Sequence, residues 1–402
     1  MSTSAEQRLP VWAVWSNVVP VLAAVLLAFT WGRDMPPWVV GVIAALLFGA
    51  VLAAVHHAEV VAHRVGEPFG SLVLAVAVTV IEVALIITMM SAKGAKGAGL
   101  ARDTVFAAVM ITCNGIAGLC LLLGALKRGL ALFNADGTST VFGAIITLAG
   151  LTLVLPTFTT SQPGPEFNNT QLTFAALASI AVYGLFISAL TVRHRPDYLP
   201  VDGVDVAAAA DGGTGGDVGS SSGIDAGTDS GIDTSTDSGF DEDGYEGESP
   251  TARQALISLS LLLLALVAVV GLGKGVSPTI ERGVDRAGLP SSVVGVVIAL
   301  MVLLPEAIAA VRAAQRDQVQ TSLNLALGSA MASIGLTIPA IAMASIWLSG
   351  PLELGLDPTQ IVLLVITVVV GVLTVVPGRA TRLQGGVHLV LLAAFVFLAA
   401  LP

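Results

Sequence analysis

The chain has 402 residues, 55% of them hydrophobic and only 11% charged, with a mean hydropathy of +0.87. So little charge excludes an ordinary soluble domain, and the lack of any basic cluster or stripe excludes a nucleic-acid partner. The formal net charge of −10 is local: 13 of the 28 acidic residues lie between Asp202 and Glu248, a stretch without Lys or Arg.

An uncharged apolar run of about 18 to 20 residues crosses a hydrocarbon core as a helix. Breaking the apolar windows at charges, Gly and Pro predicts eleven such spans, at 12–31, 37–57, 68–91, 103–126, 140–157, 170–192, 253–273, 290–313, 321–348, 359–377 and 384–401. The predicted fold is an all-α integral membrane protein. The first run is long for a signal-peptide core and shows no small-residue cleavage site, so it reads as an uncleaved leading span.

Between the sixth and seventh spans lies a hydrophilic stretch, about 193–251, rich in Gly, Asp, Ser and Thr. It contains a near-repeat that begins at Gly223-Ile224-Asp225 and again at Gly231-Ile232-Asp233. Such a segment buries too little apolar surface to offset the entropy of ordering it, which predicts a disordered tether. It lacks the glycine and closing glutamate of an EF-hand loop. The expected layout is a leading helix (1–36), a five-helix group (37–192), the acidic loop (193–251) and a second five-helix group (252–402). Successive odd-numbered groups insert with opposite orientations, so the two groups read as inverted repeats. The Lys and Arg bias places the N-terminus and acidic loop in the cytoplasm and the C-terminus outside, in the plasma membrane of a prokaryote.

Two carboxylates lie deep in the spans: Glu82 in the third and Glu306 in the eighth. A carboxylate there costs about 2.5 kcal/mol or more, so it requires a partner or a proton. No Lys or Arg lies at comparable depth, which leaves a mobile cation or a proton. Each glutamate falls in the second span of its group, where inverted repeats place equivalent residues at a mid-membrane site. The plainer reading is a protonated carboxyl bonded to a neighbouring helix.

Nearby polar residues extend this candidate site. Thr79 lies one turn before Glu82. Pro305 removes a backbone donor and frees the carbonyl of Met301. The next span of each group carries small and polar residues, Thr112-Cys113-Asn114-Gly115 in one and Asn324, Gly328-Ser329-Ala330 and Ser333 in the other. Asn114, Ser329 and Ser333 are the candidate ligands; their alternative role is interhelical packing. Carboxylates, amide oxygen, hydroxyls and carbonyls form a hard oxygen set suited to calcium. Zinc and copper are expected to fit poorly, on the reading that no thiolate or imidazole sits at that depth. Cys113 and Cys120 sit about 10 Å apart along one helix, too far for a disulfide. His56, Glu59 and His63 share helical spacing and, with Glu67, suggest either a proton route or an interfacial cluster. No cofactor is expected; the ions are substrates.

At these residues the sequence resembles the cation/calcium exchanger superfamily. The run Gly66-Glu67-Pro68-Phe69-Gly70 through Val78-Thr79-Val80-Ile81-Glu82 is similar to its first alpha-repeat. Val302-Leu303-Leu304-Pro305-Glu306, with Thr321 through Gly328-Ser329-Ala330, is similar to its second. The nearest likeness is to the bacterial Cha-type calcium/proton antiporters. The resemblance implies a leading helix, two inverted five-helix repeats and an acidic cytoplasmic loop, with Glu82, Glu306, Asn114 and Ser329 or Ser333 at the motif positions. It departs where many members carry Gly-Asn-Ala: the positions here are Val78-Thr79-Val80 and Val302-Leu303-Leu304. The expectation is calcium/proton antiport, with sodium or potassium/proton antiport as the alternative and a passive cation channel as a different class. An intramembrane enzyme would need a nucleophile-base or metal motif at depth, and none is read.

Overall fold

The computed structural model describes residues 11–33, 36–66, 69–93, 97–190, 250–290, 292–347 and 350–401. Glu67 and nearly all of the acidic loop therefore lie outside the described residues. The described chain forms eleven long helices: α1 Val11–Thr30, α2 Pro37–Val65, α3 Phe69–Lys93, α4 Leu100–Arg128, α5 Ala135–Phe158, α6 Asn169–Ser188, α7 Ala252–Arg286, α8 Ser292–Gln315, α9 Val319–Ala344, α10 Pro358–Val375 and α11 Arg382–Ala400. Ten are long and apolar enough to cross a membrane, and α1 contributes a shorter apolar stretch, Trp15–Thr30.

The largest boundary difference is in α7, which runs 13 residues past the predicted end at 273. Charge ends a hydrophobic window but not a helix, because a long basic side chain carries its head into water while its backbone stays helical. Lys274 does so beside Trp31, with Nζ 6.0 Å from the ring centre. Helix starts are set by short polar signals. Asn168 with Gln171, Asp357 with Gln360, and Thr381 with Gln384 form reciprocal capping boxes that open α6, α10 and α11.

Helix contacts follow an exchange of α2–α6 with α7–α11. α4 packs on α11 as α9 packs on α6, and α4 packs on α8 as α9 packs on α3. The self-matching pairs α2 with α7, α3 with α8 and α4 with α9 all cross the boundary between the halves. The two halves are thus interleaved rather than placed side by side.

The links obey the same exchange. Strand β1, Ala131–Leu132, follows α4 and pairs antiparallel with β2, Arg379–Ala380, which precedes α11. The α5–α6 link meets the α9–α10 link through a Glu166–Glu353 bridge. There the Leu356 N–H also donates to the Leu153 carbonyl at 2.8 Å. Exchanging the halves turns one pairing into the other. Because successive links alternate between membrane faces, the two pairings lie on opposite faces, which is the signature of inverted repeats.

The leading helix is fastened by chemistry that a proline creates. Pro20 has no N–H, so the Ser16 carbonyl one turn earlier loses its helical donor. His57 Nε2 of α2 lies 3.0 Å from that carbonyl and donates to it, buried. α4 and α11 approach closely through small residues: a Cβ on Gly118 would stand 2.6 Å from His388 Cβ, and one on Gly385 2.7 Å from the Leu122 backbone nitrogen.

Candidate functional site

Glu82 is the fourteenth of the 25 residues of α3, and Glu306 the fifteenth of the 24 of α8. Both helices run unbroken past the carboxylates, α8 even through Pro305. α3 and α8 pack against each other across the repeat boundary.

Glu82 is buried and is bonded from the other repeat. Ser333 of α9 donates to its Oε1 at 2.8 Å, and Thr337, one turn further along α9, donates to its Oε2 at 3.1 Å. Hydroxyl donors of this kind favour a carboxylate and fix its orientation. Thr79 is buried one turn before Glu82. Ser329 is half-buried one turn before Ser333 and bonds neither glutamate among the described residues.

Glu306 is placed differently. Its Oε2 is buried without a hydrogen-bond partner among the described residues. Leaving a carboxylate oxygen unsatisfied in a low-dielectric interior is costly, so this oxygen is poised for a proton or a cation.

Asn114 bonds neither carboxylate among the described residues. It and Ser333 are each the fifteenth residue of their helices, α4 and α9. Yet the Asn114 amide nitrogen donates to Thr367 Oγ1 at 3.0 Å, and its oxygen lies 3.0 Å from His388 Nδ1. The cause is a π turn at Ile111–Ile116 inside α4. A wider turn takes up an extra residue and shifts its side chains around the helix axis. Asn114 thereby points to α10 and α11, while Ser333, in regular helix, points to α3.

The expectation that no thiolate or imidazole reaches this depth is corrected here. Cys113 and Cys120 are buried in α4 as free thiols, and His388 is buried against Asn114. A chain-order scan misses His388 because the last span is otherwise bare. The signal was present, since an ionisable residue within a span marks a candidate site by itself. Thr337 gives a weaker signal, its place one turn after Ser333.

The proposed proton-route residues separate. His56 Nδ1 and Glu59 Oε2 are 3.8 Å apart on α2, both half-buried. His63 is exposed near the end of that helix. Among the described residues no three His, Cys, Asp or Glu side chains converge as a metal cluster, so the candidate site consists of a carboxylate pair with hydroxyls.

An interleaved inverted-repeat bundle with an acidic pair at the repeat boundary defines a cation antiporter of the membrane. A sequence model described as sodium/calcium exchanger protein matches residues 35–192 and 257–401. The chain belongs to this family. It is 40% identical over 97% of its length to y4hA of Sinorhizobium fredii, 96% of which is covered and whose name goes no further than ionic transport. It is 31% identical over 95% of its length to the sodium-potassium/proton antiporter ChaA of Escherichia coli, covering 94% of it. Among solved structures, native YfkE aligns over 98% of this chain and 100% of its own, with a TM-score of 0.65 at 15% identity. The H+/Ca2+ exchanger CAX aligns over 96% and 92%, with a TM-score of 0.64 at 15% identity. At that identity these two likenesses speak for the fold.

Proposed function

We propose that this protein exchanges cytoplasmic calcium for protons across a prokaryotic plasma membrane, by alternating access at Glu82 and Glu306. The observation that carries the reading is the carboxylate pair itself: buried Glu82 is held by hydroxyls from the opposite repeat, and half-buried Glu306 keeps one buried oxygen without a hydrogen-bond partner among the described residues. With both glutamates ionised the site carries −2, and a divalent cation neutralises it. With both protonated it is neutral again. Either neutral form can pass the low-dielectric barrier as repeats 37–192 and 252–402 rock against each other, whereas the empty −2 form is barred by its desolvation cost. Exchange is thereby enforced and leak suppressed. Thr79 and Ser333 border the same carboxylate, and the His56–Glu59 pair on α2 is the proposed entry for protons.

A second reading, sodium or potassium in place of calcium, is favoured by the name of the E. coli relative and by the few oxygen donors around the two carboxylates. Calcium takes about six to eight oxygens, more than the side chains now gathered around this pair provide. Calcium uptake into inverted vesicles with an acid interior tests both. Uptake that a protonophore abolishes, and that Glu306→Gln removes, is the expected outcome. Dissipation of the proton gradient by sodium or potassium, with calcium inert, would leave the antiporter and overturn the calcium assignment. Flux that needs no opposing gradient would indicate a channel.

A further inference from the structure

The polar cluster around His388 plays no part in the exchange described so far. It joins three helices: Asn114 on α4, Thr367 and Thr374 on α10, and His388 on α11, all buried. Thr374 Oγ1 donates to the Val370 carbonyl at 2.8 Å. That hydroxyl also lies 3.2 Å from His388 Nε2, where it accepts from Nε2–H or, turned from Val370, donates to a bare Nε2. The ring is thereby fixed in orientation, with Nδ1 presented to the Asn114 amide at 3.0 Å.

The amide oxygen is occupied whichever way the amide is turned. In one orientation it accepts from His388 Nδ1–H, with the Thr374 hydroxyl donating to Nε2, while the nitrogen donates to Thr367. Turned over, the nitrogen donates to Nδ1 and the oxygen accepts the Thr367 hydroxyl. His388 and Thr367 grip the two ends of one amide, and neither orientation leaves its oxygen free for a cation. The counterpart in the other repeat is not gripped in this way: Ser333, at the same place in α9, bonds Glu82. Exchange of the repeats would aim the Asn114 side chain at Glu306, whose Oε2 is the orphaned oxygen.

We infer that His388 is a positioning residue that sets the ion preference of the exchanger by withholding the Asn114 oxygen from the cation. The inference rests on the exchange site proposed above. Attraction to an oxygen dipole scales with the charge of the ion, so each added neutral oxygen favours calcium over a monovalent ion. With Asn114 held away, the pair offers few neutral donors and monovalent ions compete. With it released, one more neutral oxygen joins Glu306 and calcium gains.

The test is transport by the full chain in proteoliposomes, with half-saturating calcium and potassium measured for each variant. His388→Leu should lower half-saturating calcium relative to potassium by about tenfold, the effect of one added charge-assisted contact. His388→Asn should restore the wild-type ranking, because its amide nitrogen stands where Nδ1 stood. Thr367→Val, nearly isosteric, should move the ranking the same way by less, and it carries the test if His388→Leu does not fold. The gain should vanish when Asn114→Leu is added, since no oxygen remains to be released. An unchanged ranking in the folded single variants, or a shift that survives Asn114→Leu, overturns the inference. A wild-type chain that performs no proton-driven exchange, or a Glu306→Gln chain that still does, overturns instead the site on which it rests.

Discussion

In the first repeat Glu82 receives two hydroxyl protons from α9, whereas in the second Glu306 receives none from α4. The helices that carry the two residues are matched in place, and each packs on the polar helix of the other repeat, α3 on α9 and α8 on α4, so the difference arises one layer further out. A π turn in α4 carries Asn114 toward His388, and no such turn occurs in α9. Backbone exchange symmetry therefore does not extend to the polar contacts. One carboxylate is held in a set orientation before any ion arrives, and the other is left with an unmet electrostatic demand.

The largest expected effects come from shortening the carboxylates. Glu82→Asp withdraws the carboxylate by about 1.5 Å and forfeits both hydroxyls, so half-saturating calcium should rise on the order of 100-fold. Glu306→Asp has no such bonds to lose, and a rise of about tenfold is expected in the same vesicle assay. Equal losses would erase the distinction between the two sites. Removing the hydroxyls while keeping the glutamates sharpens it: Ser333→Ala with Thr337→Val should raise half-saturating calcium about tenfold. Added to Glu82→Asp, the pair should cost little more, because the same bonds are already lost.

Two further expectations concern the frame around the sites. Gly385→Ala sets a Cβ against the Leu122 backbone at the α4–α11 contact. It should destabilise the detergent-solubilised protein by about 1–3 kcal/mol, read as a lower melting temperature. The smallest effect lies in the Glu166–Glu353 bridge, outside the spans. Partial burial, and then the facing Glu353 carboxylate, raise the pKa of Glu166. A carboxyl with a raised folded-state pKa stabilises the fold when protonated, and that contribution is lost as pH rises through the folded value. Glu166→Gln should therefore raise the melting temperature slightly at neutral pH and leave it unchanged in acid. The matching link on the other face, β1 with β2, pairs Ala131 with Ala380 and Leu132 with Arg379 and carries no such repulsion.

The count of spans, their division into two inverted groups and the two deep glutamates were legible in the sequence. A hydrocarbon core enforces length, apolarity and the exclusion of charge so strictly that each violation stands out. Ser333 was legible as a polar residue at depth, although its partner, the glutamate of the opposite repeat, was not. Thr337 was harder to single out because a threonine in an apolar helix is commonplace, and only the crossing of α9 over α3 gives it a carboxylate to meet. The helix ends near Lys274 and His56 differ from expectation because charge marks where hydrocarbon ends, not where a helix stops.

The amino-acid sequence by itself determined the membrane class, the repeat plan and the acidic pair, because these follow from the one-dimensional rule that polar groups avoid lipid. The tertiary structure alone decided the company each carboxylate keeps. A π turn, a proline-freed carbonyl and the approach of α4 to α11 through glycines act by rotating side chains about helix axes, and which neighbour a rotated side chain meets depends on helices far away in the chain.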